Sequence, residues 1–207
     1  MIRFLILAIF TISSGNIFPK DYAILSEWKT DKTSDGISIS YRWVTIGDTL
    51  KTREMKTVLH IYASPEAILK QFKSNEKLSK WTAGSRNCSV LQSSEDEWIT
   101  YTLYDMPWPF TSNDLVTLYR KTIHNKITRI FIESTPDYIP EKADTERMEH
   151  YRGHWDLIPE PDGSTRVEFC TTSFTKPVFP RFIQDPILQE IMIDSMIKLR
   201  KQAEEEL

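Results

Sequence analysis

Hydrophobic and polar residues alternate with two different periods along this chain, and the switches between them divide it into elements. From Ile37 to Thr45 apolar and polar side chains alternate and β-branched residues are frequent, which predicts a strand. Gly47-Asp48 is a turn signal, and Lys51 to Tyr62 supplies one or two further strands. At Ser64-Pro65-Glu66 the period changes to that of a helix, with Ser64 placed to cap and Pro65 at the first helical position. This helix, Pro65 to Lys73, is expected to bury Ile68, Leu69 and Phe72, and Lys77 to Trp81 adds a short helical turn. Strands follow at Cys88–Gln92, Glu97–Tyr104, Asp114–His124, Ile127–Ser134, Glu146–Ile158 and Thr165–Thr175, separated by polar turns such as Asn125-Lys126. The chain then returns to a helical period from Pro180 to Glu206. Phe182, Ile183, Ile187, Leu188, Ile191, Met192, Met196 and Leu199 make a broad apolar stripe there, and Pro186 marks a kink. Near the start, Tyr22, Leu25 and Trp28 recur at three-residue spacing after Asp21, which predicts a short helix over Asp21–Thr30.

The resulting order is helix, strands, helix, six strands, long helix. No linker or repeat interrupts it, so the pattern predicts one α+β domain with an antiparallel sheet. A sheet curled around a long C-terminal helix leaves an apolar interior space suited to a ligand. The first fifteen residues differ from the rest. One Arg, an apolar run from Phe4 to Ile12, and Ser13-Ser14-Gly15 read as an export signal over residues 1–15, with the domain over residues 16–207. The alternatives are an apolar helix packed on the domain and an uncleaved anchor.

Composition narrows the function classes. The chain has 207 residues, 40% hydrophobic and 27% charged, with net charge −3. That balance gives no global field for nucleic acid, and no phosphate-binding glycine loop is present. Cys88 and Cys170 fall on strands that are not expected to be neighbours, so free, half-buried thiols are expected.

Several segments, taken in order, resemble the START domain, a helix-grip module of the Bet v1-like superfamily. The stretch Tyr104-Asp105-Met106-Pro107-Trp108-Pro109-Phe110 ahead of Asp114 resembles the loop between two central strands of that family. Tyr151-Arg152-Gly153-His154-Trp155 followed by Asp162-Gly163 resembles its penultimate hairpin. Val178-Phe179-Pro180-Arg181-Phe182 resembles the entry into its last helix, and Met196-Ile197-Lys198-Leu199-Arg200-Lys201 resembles that helix's end. The resemblance covers roughly Tyr22 to Lys201, with Trp81 after the first long helix. It departs from the family at Asn113, where Arg is frequent, and at Lys176-Pro177-Val178, where glycines are frequent. Some family pockets hold a buried acid–arginine pair. The corresponding face here reads Thr100, Thr102, Thr117 and Tyr119, which offers hydroxyls rather than charge.

The resemblance implies a helix-grip fold, a curved antiparallel sheet wrapped around a long C-terminal helix with an internal hydrophobic cavity. It implies that the protein binds, and by extension transfers, a single lipid or other hydrophobic small molecule. The implied ligand-binding residues are Trp81, Thr100, Thr102, Trp108, Thr117, Tyr119, Tyr151, Trp155, Phe169, Ile187, Ile191 and Met192. Entry would require the Pro-Trp-Pro loop to move against the start of the last helix. The expectation is a bacterial-type, exported monomer in transient contact with a membrane, without a cofactor and without a nucleic-acid partner. Two alternatives stay open: a cyclase- or hydrolase-type enzyme on the same fold, and an interaction domain with a collapsed cavity of under ~300 Å³.

Other residue constellations have plainer readings. His150 and His154 have the spacing of a helical metal pair, but on a strand they share a face with Met148, Arg152 and Asp156, and a solvated face accounts for them. Asp105 and Asp114 flank the Pro-Trp-Pro loop as turn and strand caps. The Met and Ile stripe of the last helix serves as core, as cavity floor, or as both.

Overall fold

The computed structural model describes residues 22–46, 50–105, 111–143, 145–173 and 179–206. The first fifteen residues, Trp108 with its flanking prolines, and Lys176-Pro177-Val178 lie outside the described residues.

Among the described residues, eleven strands form one sheet: β1 Tyr22–Ile24, β2 Lys29–Ser34, β3 Ile37–Ile46, β4 Leu50–Ile61, β5 Ser85–Ser93, β6 Glu97–Tyr104, β7 Asn113–His124, β8 Ile127–Ser134, β9 Glu146–Arg147, β10 Tyr151–Pro159 and β11 Thr165–Ser173. The helices are α1 Pro65–Lys70, α2 Asn75–Trp81 and α3 Arg181–Glu204. The strand order is β1-β3-β4-β11-β10-β8-β7-β6-β5, with β2 on β3 and β9 on β7. All pairs are antiparallel except β7 with β9. This is an α+β, helix-grip arrangement, with α3 lying against α1, α2, β3 and β4.

Local chemistry sets the turns and caps. Asp35 and Gly36, and likewise Asn125 and Lys126, have positive φ, the backbone that two-residue hairpins require. Ser64 caps α1 by accepting from the Ala67 amide at 3.2 Å, with Pro65 opening the helix. The Asp162 carboxylate accepts from the Ser164 amide and hydroxyl and closes the β10–β11 hairpin.

The helix expected over Asp21–Thr30 is not formed. Tyr22–Ile24 instead pairs with Val44–Ile46 of β3, and Lys29–Ser34 pairs back on β3 as a hairpin. The open edge of β3 decides this, because its unpaired amides and carbonyls gain partners that a local helix would not supply. The three-residue spacing was not a buried face, since Leu25 is 50% exposed. Trp28 lies under the Arg42 guanidinium and the Lys56 ammonium, at 4.5 and 4.6 Å from its ring centroid. The strand expected over Glu146–Ile158 is also broken in two. β9 pairs with the first residues of β7, beyond the end of β8, and the chain then turns through Met148–His150 into β10.

The two cysteines are free, on non-neighbouring strands, and buried rather than half-buried. Burial pushes the Cys170 thiol up to about 12.

The core fills the concave side of the sheet under α3. Ile37, Ile39, Leu59, Ile61, Trp98, Ile130, Leu157 and Val167 come from the strands, Phe72 and Leu78 from the α1–α2 region, and Ile193, Met196 and Leu199 from α3. Gly153 of β10 sits directly against the backbone of β11. A Cβ there would lie 2.1 Å from the Cys170 carbonyl oxygen and 3.0 Å from the Thr171 Cα. Both contacts are backbone, so nothing flexible can yield. Gly153→Ala is therefore expected to cost about 3 kcal/mol of unfolding free energy as β10 and β11 are forced apart. Urea unfolding of the variant beside the parent protein checks this, and a change below about 0.5 kcal/mol would contradict it.

Candidate ligand cavity

Strand alternation places one row of side chains from each strand in the space under α3. On β6 the inward row is Trp98, Thr100, Thr102 and Tyr104, and on β7 it is Leu115, Thr117 and Tyr119, with Thr100 opposite Thr117 and Trp98 opposite Tyr119. On β10 the row is Tyr151, Gly153, Trp155 and Leu157, and on β11 it includes Phe169 and Thr171. The helix contributes Leu188, Ile191, Met192, Ser195 and Met196, spaced three and four apart, so they form one face. Together these rows enclose a cavity of about 580 Å³.

One end of the cavity is closed by packed aromatic rings. Trp155 stacks on Phe169 with centroids 4.0 Å apart, and Phe72 meets Trp155 and Trp81 edge-on, both at 5.0 Å. Trp98 stacks on Tyr119 at 5.0 Å. Trp81 is further fixed by its indole N–H, which donates to the Gln71 carbonyl at 3.1 Å. The α2 end is tied to α3 by the Ala83 amide, which donates to the Ser195 hydroxyl at 3.0 Å. Gly84, at φ +73, lets the chain pass beside Ile191.

The interior is apolar, with hydroxyls set into it. Tyr104, Tyr119 and Tyr151 line it with Thr102, Thr117 and Thr171. Burial pushes the Tyr151 phenol up to about 12 and drives Tyr104 and Tyr119 well up. The Thr100 and Thr117 hydroxyls beside Tyr119 pull it back only in part. All three phenols stay protonated near neutral pH and can donate hydrogen bonds to a guest.

The rim is different in character. Asp31, Arg53, Arg181, Gln184, Asp185 and Gln189 line it. Arg53 and Arg181 both face the Asp185 carboxylate, Arg53 in direct hydrogen bond through its terminal nitrogen and Arg181 at 3.6 Å. Gln189 donates to Asp31. Beside this rim Phe182 is 80% exposed and Ile183 38%, so the apolar stripe expected along the whole last helix turns outward at its first turn.

Of the residues implied by sequence, Trp81, Thr102, Thr117, Tyr119, Tyr151, Trp155, Phe169, Ile191 and Met192 line the cavity. Thr100 points to the same side but is packed at the end where Trp98 and Tyr119 stack, and it is not in the wall. Ile187 is half-buried and lies off the lining face of α3. Trp108 lies outside the described residues. Sequence reasoning missed Arg53 and Arg181, although the inward row Leu59, Thr57, Met55 of β4 continues to Arg53 by simple alternation.

Asp114 requires a correction. It is not merely a strand cap but half of a buried ion pair. Its carboxylate accepts from Arg147 Nε at 2.6 Å and Nη2 at 3.1 Å, and the two side chains are 1% and 2% exposed. The same guanidinium donates to the carbonyls of Pro136, Ile139 and Pro140. Asp114 alternates with the inward residues Leu115 and Thr117, so the pair sits on the outer side of β7. This acid–arginine pair does not lie on the hydroxyl-bearing face. Arg147 clasps the segment over Pro136–Pro140 to the sheet.

His150 is exposed, while His154 is largely buried on the outer face of β10, and that burial lowers its pKa despite nearby Asp156. Asp156 is held by Arg129 through two hydrogen bonds of 2.6 Å. Among the described residues, no group of three or more His, Cys, Asp or Glu side chains is placed to hold a metal ion.

The architecture has counterparts among solved structures. A STAR-related lipid transfer protein fragment from Xanthomonas axonopodis superposes with a TM-score of 0.75, at 19% identity, over 85% of this chain and 98% of that one. Human StAR-related lipid transfer protein 5 gives 0.68 at 15% identity, over 86% of each chain. The Zhui aromatase/cyclase from a Streptomyces species gives 0.51 at 9% identity, over 74% of this chain and 94% of that one. In sequence, an uncharacterised protein of Pseudomonas aeruginosa is 26% identical over 185 residues, 88% of this chain and 89% of its own. No protein-family model matches the chain.

Proposed function

We propose that this chain, which has the START fold, is a carrier that holds one lipid or other hydrophobic small molecule in the cavity beneath α3. The observation that carries the reading is the cavity itself: about 580 Å³, walled by packed aromatics and aliphatics and dotted with protonated hydroxyls. That volume lies within the range of small-molecule sites and above the ~300 Å³ below which a collapsed interaction domain would be favoured. Burial of apolar ligand surface would drive binding at roughly 25 cal/mol per Å², less the costs of association. The threonine and tyrosine hydroxyls would orient a polar group.

The phenols in the interior are pushed up by burial, so near neutral pH they serve as hydrogen-bond donors and not as bases, as orientation of a ligand's polar group requires. Phe182 and Ile183, exposed beside the rim, would rest on a bilayer during loading. With the export signal read over residues 1–15, the carrier would act outside the cytoplasm. Displacement of Nile red by fatty acids, phospholipids and sterols tests the reading. One-to-one displacement by at least one class, with the ligand recovered chemically unchanged, is the expected result. Release of an altered ligand would favour the cyclase- or hydrolase-type reading instead.

A further inference from the structure

Two arginines at the rim of the cavity converge on one carboxylate. Arg53 is the last inward residue of the β4 row that runs Leu59, Thr57, Met55, a position where alternation calls for an apolar side chain. Its guanidinium lies over the Tyr41 ring at 3.9 Å and the Trp43 ring at 5.1 Å. Arg181, from the first turn of α3, approaches the Trp43 ring at 5.2 Å, and the Lys51 ammonium lies 4.7 Å from the same ring. Among the described residues, the carboxylate paired with both arginines is Asp185. The other rim acid, Asp31, is engaged by Gln189.

Two details mark this cluster as incomplete. The Arg53 Nε–H is buried and has no acceptor, although Asp185 takes the terminal nitrogen of the same group. A buried donor of this kind is costly to leave unmade. Arg181 stands 3.6 Å from Asp185, beyond good hydrogen-bond distance, and Asp185 does not offset both its burial and the repulsion from Arg53. Arg53 and Arg181 both line the cavity, so an acceptor placed there would be continuous with the apolar interior. Packed against the Tyr41 and Trp43 rings, the guanidinium groups have less freedom to move, which suits recognition of a flat or tetrahedral oxyanion.

We propose that Arg53 and Arg181 receive the anionic head of the ligand, whose apolar tail fills the cavity. The ligand class is a single-headed amphiphile ending in a carboxylate or a phosphate. This rests on the carrier reading and adds the chemistry of the head and the direction in which the ligand lies, head at the rim and tail toward the aromatic end.

The test uses the full chain and three ligands of equal tail: dodecanoate, dodecyl phosphate and 1-dodecanol, each titrated by Nile red displacement at neutral pH. The two anions are expected to bind about tenfold or more tighter than the alcohol, the size of one or two charge-assisted hydrogen bonds. Arg53→Gln and Arg181→Gln are expected to reduce that ratio severalfold each, and thermal unfolding of each variant reports that it folds. A preference for one anion over the other assigns the head as carboxylate or phosphate. If the alcohol binds the parent protein as tightly as the anions, the head-group assignment falls and carriage stands. An anion preference that survives both substitutions places the head elsewhere and also overturns it. If none of the three displaces Nile red, the head-group assignment falls, and the carrier reading falls with it where phospholipids and sterols also fail. Where a glutamine variant does not fold, Arg53→Met or Arg181→Met takes its place in the same comparison.

Discussion

Arg147→Met is expected to lower the unfolding free energy by about 3–5 kcal/mol, the usual result of removing one partner from a buried ion pair. The substitution keeps an unbranched stem but strands the Asp114 carboxylate, which is 1% exposed, without its guanidinium. It also removes the donor serving the carbonyls of Pro136, Ile139 and Pro140, so the segment over the outer face of β7 loses its clasp. Replacing both partners, with Asp114→Leu added to Arg147→Met, removes the buried charge and is expected to recover part of the loss. Recovery stays incomplete because the three carbonyls remain without a donor. Denaturant unfolding of both variants checks this. A loss below about 1 kcal/mol in Arg147→Met would show that the pair contributes no more than a surface bridge.

Met192→Trp is expected to weaken ligand binding roughly 60-fold while leaving stability within about 1 kcal/mol of the parent. Met192 lies on the lining face of α3, so the larger ring enters the cavity instead of a filled core. Displacing about 100 Å² of ligand surface from apolar contact removes about 2.5 kcal/mol, which gives that factor. The two readouts separate the mechanisms. Lost binding with an unchanged unfolding midpoint supports occupation of this cavity, whereas unchanged binding would place the ligand somewhere else.

Much of the cavity was legible from sequence because β alternation is a strict, local rule. Once β6 and β7 are recognised, Thr102, Thr117 and Tyr119 must share a face, and Tyr151 with Trp155 follow on β10 in the same way. The α3 stripe was legible from Leu188 to Leu199 for the corresponding reason. It failed at Phe182 and Ile183, where periodicity cannot say whether the facing surface is sheet or solvent. The Asp21–Thr30 segment was misread because its first residues depend on the open edge of β3, with pairing partners 20 to 24 residues away. Asp114 and Arg147 are 33 positions apart, and no local pattern joins them. Arg53 was available to the alternation argument but breaks it, a charged side chain in an inward row. Local rules fail in this way where a site requires something other than packing.

The central claim is that the cavity is occupied by a single amphiphile in the working protein. Native mass spectrometry of the protein purified from cells under mild conditions, followed by organic extraction, tests it most directly. The account predicts a species heavier than the bare chain by the mass of one lipid-sized molecule, and an extract containing an acidic amphiphile in stoichiometric amount. A protein that runs at its bare mass and stays there when offered fatty acids, phospholipids and sterols would contradict it.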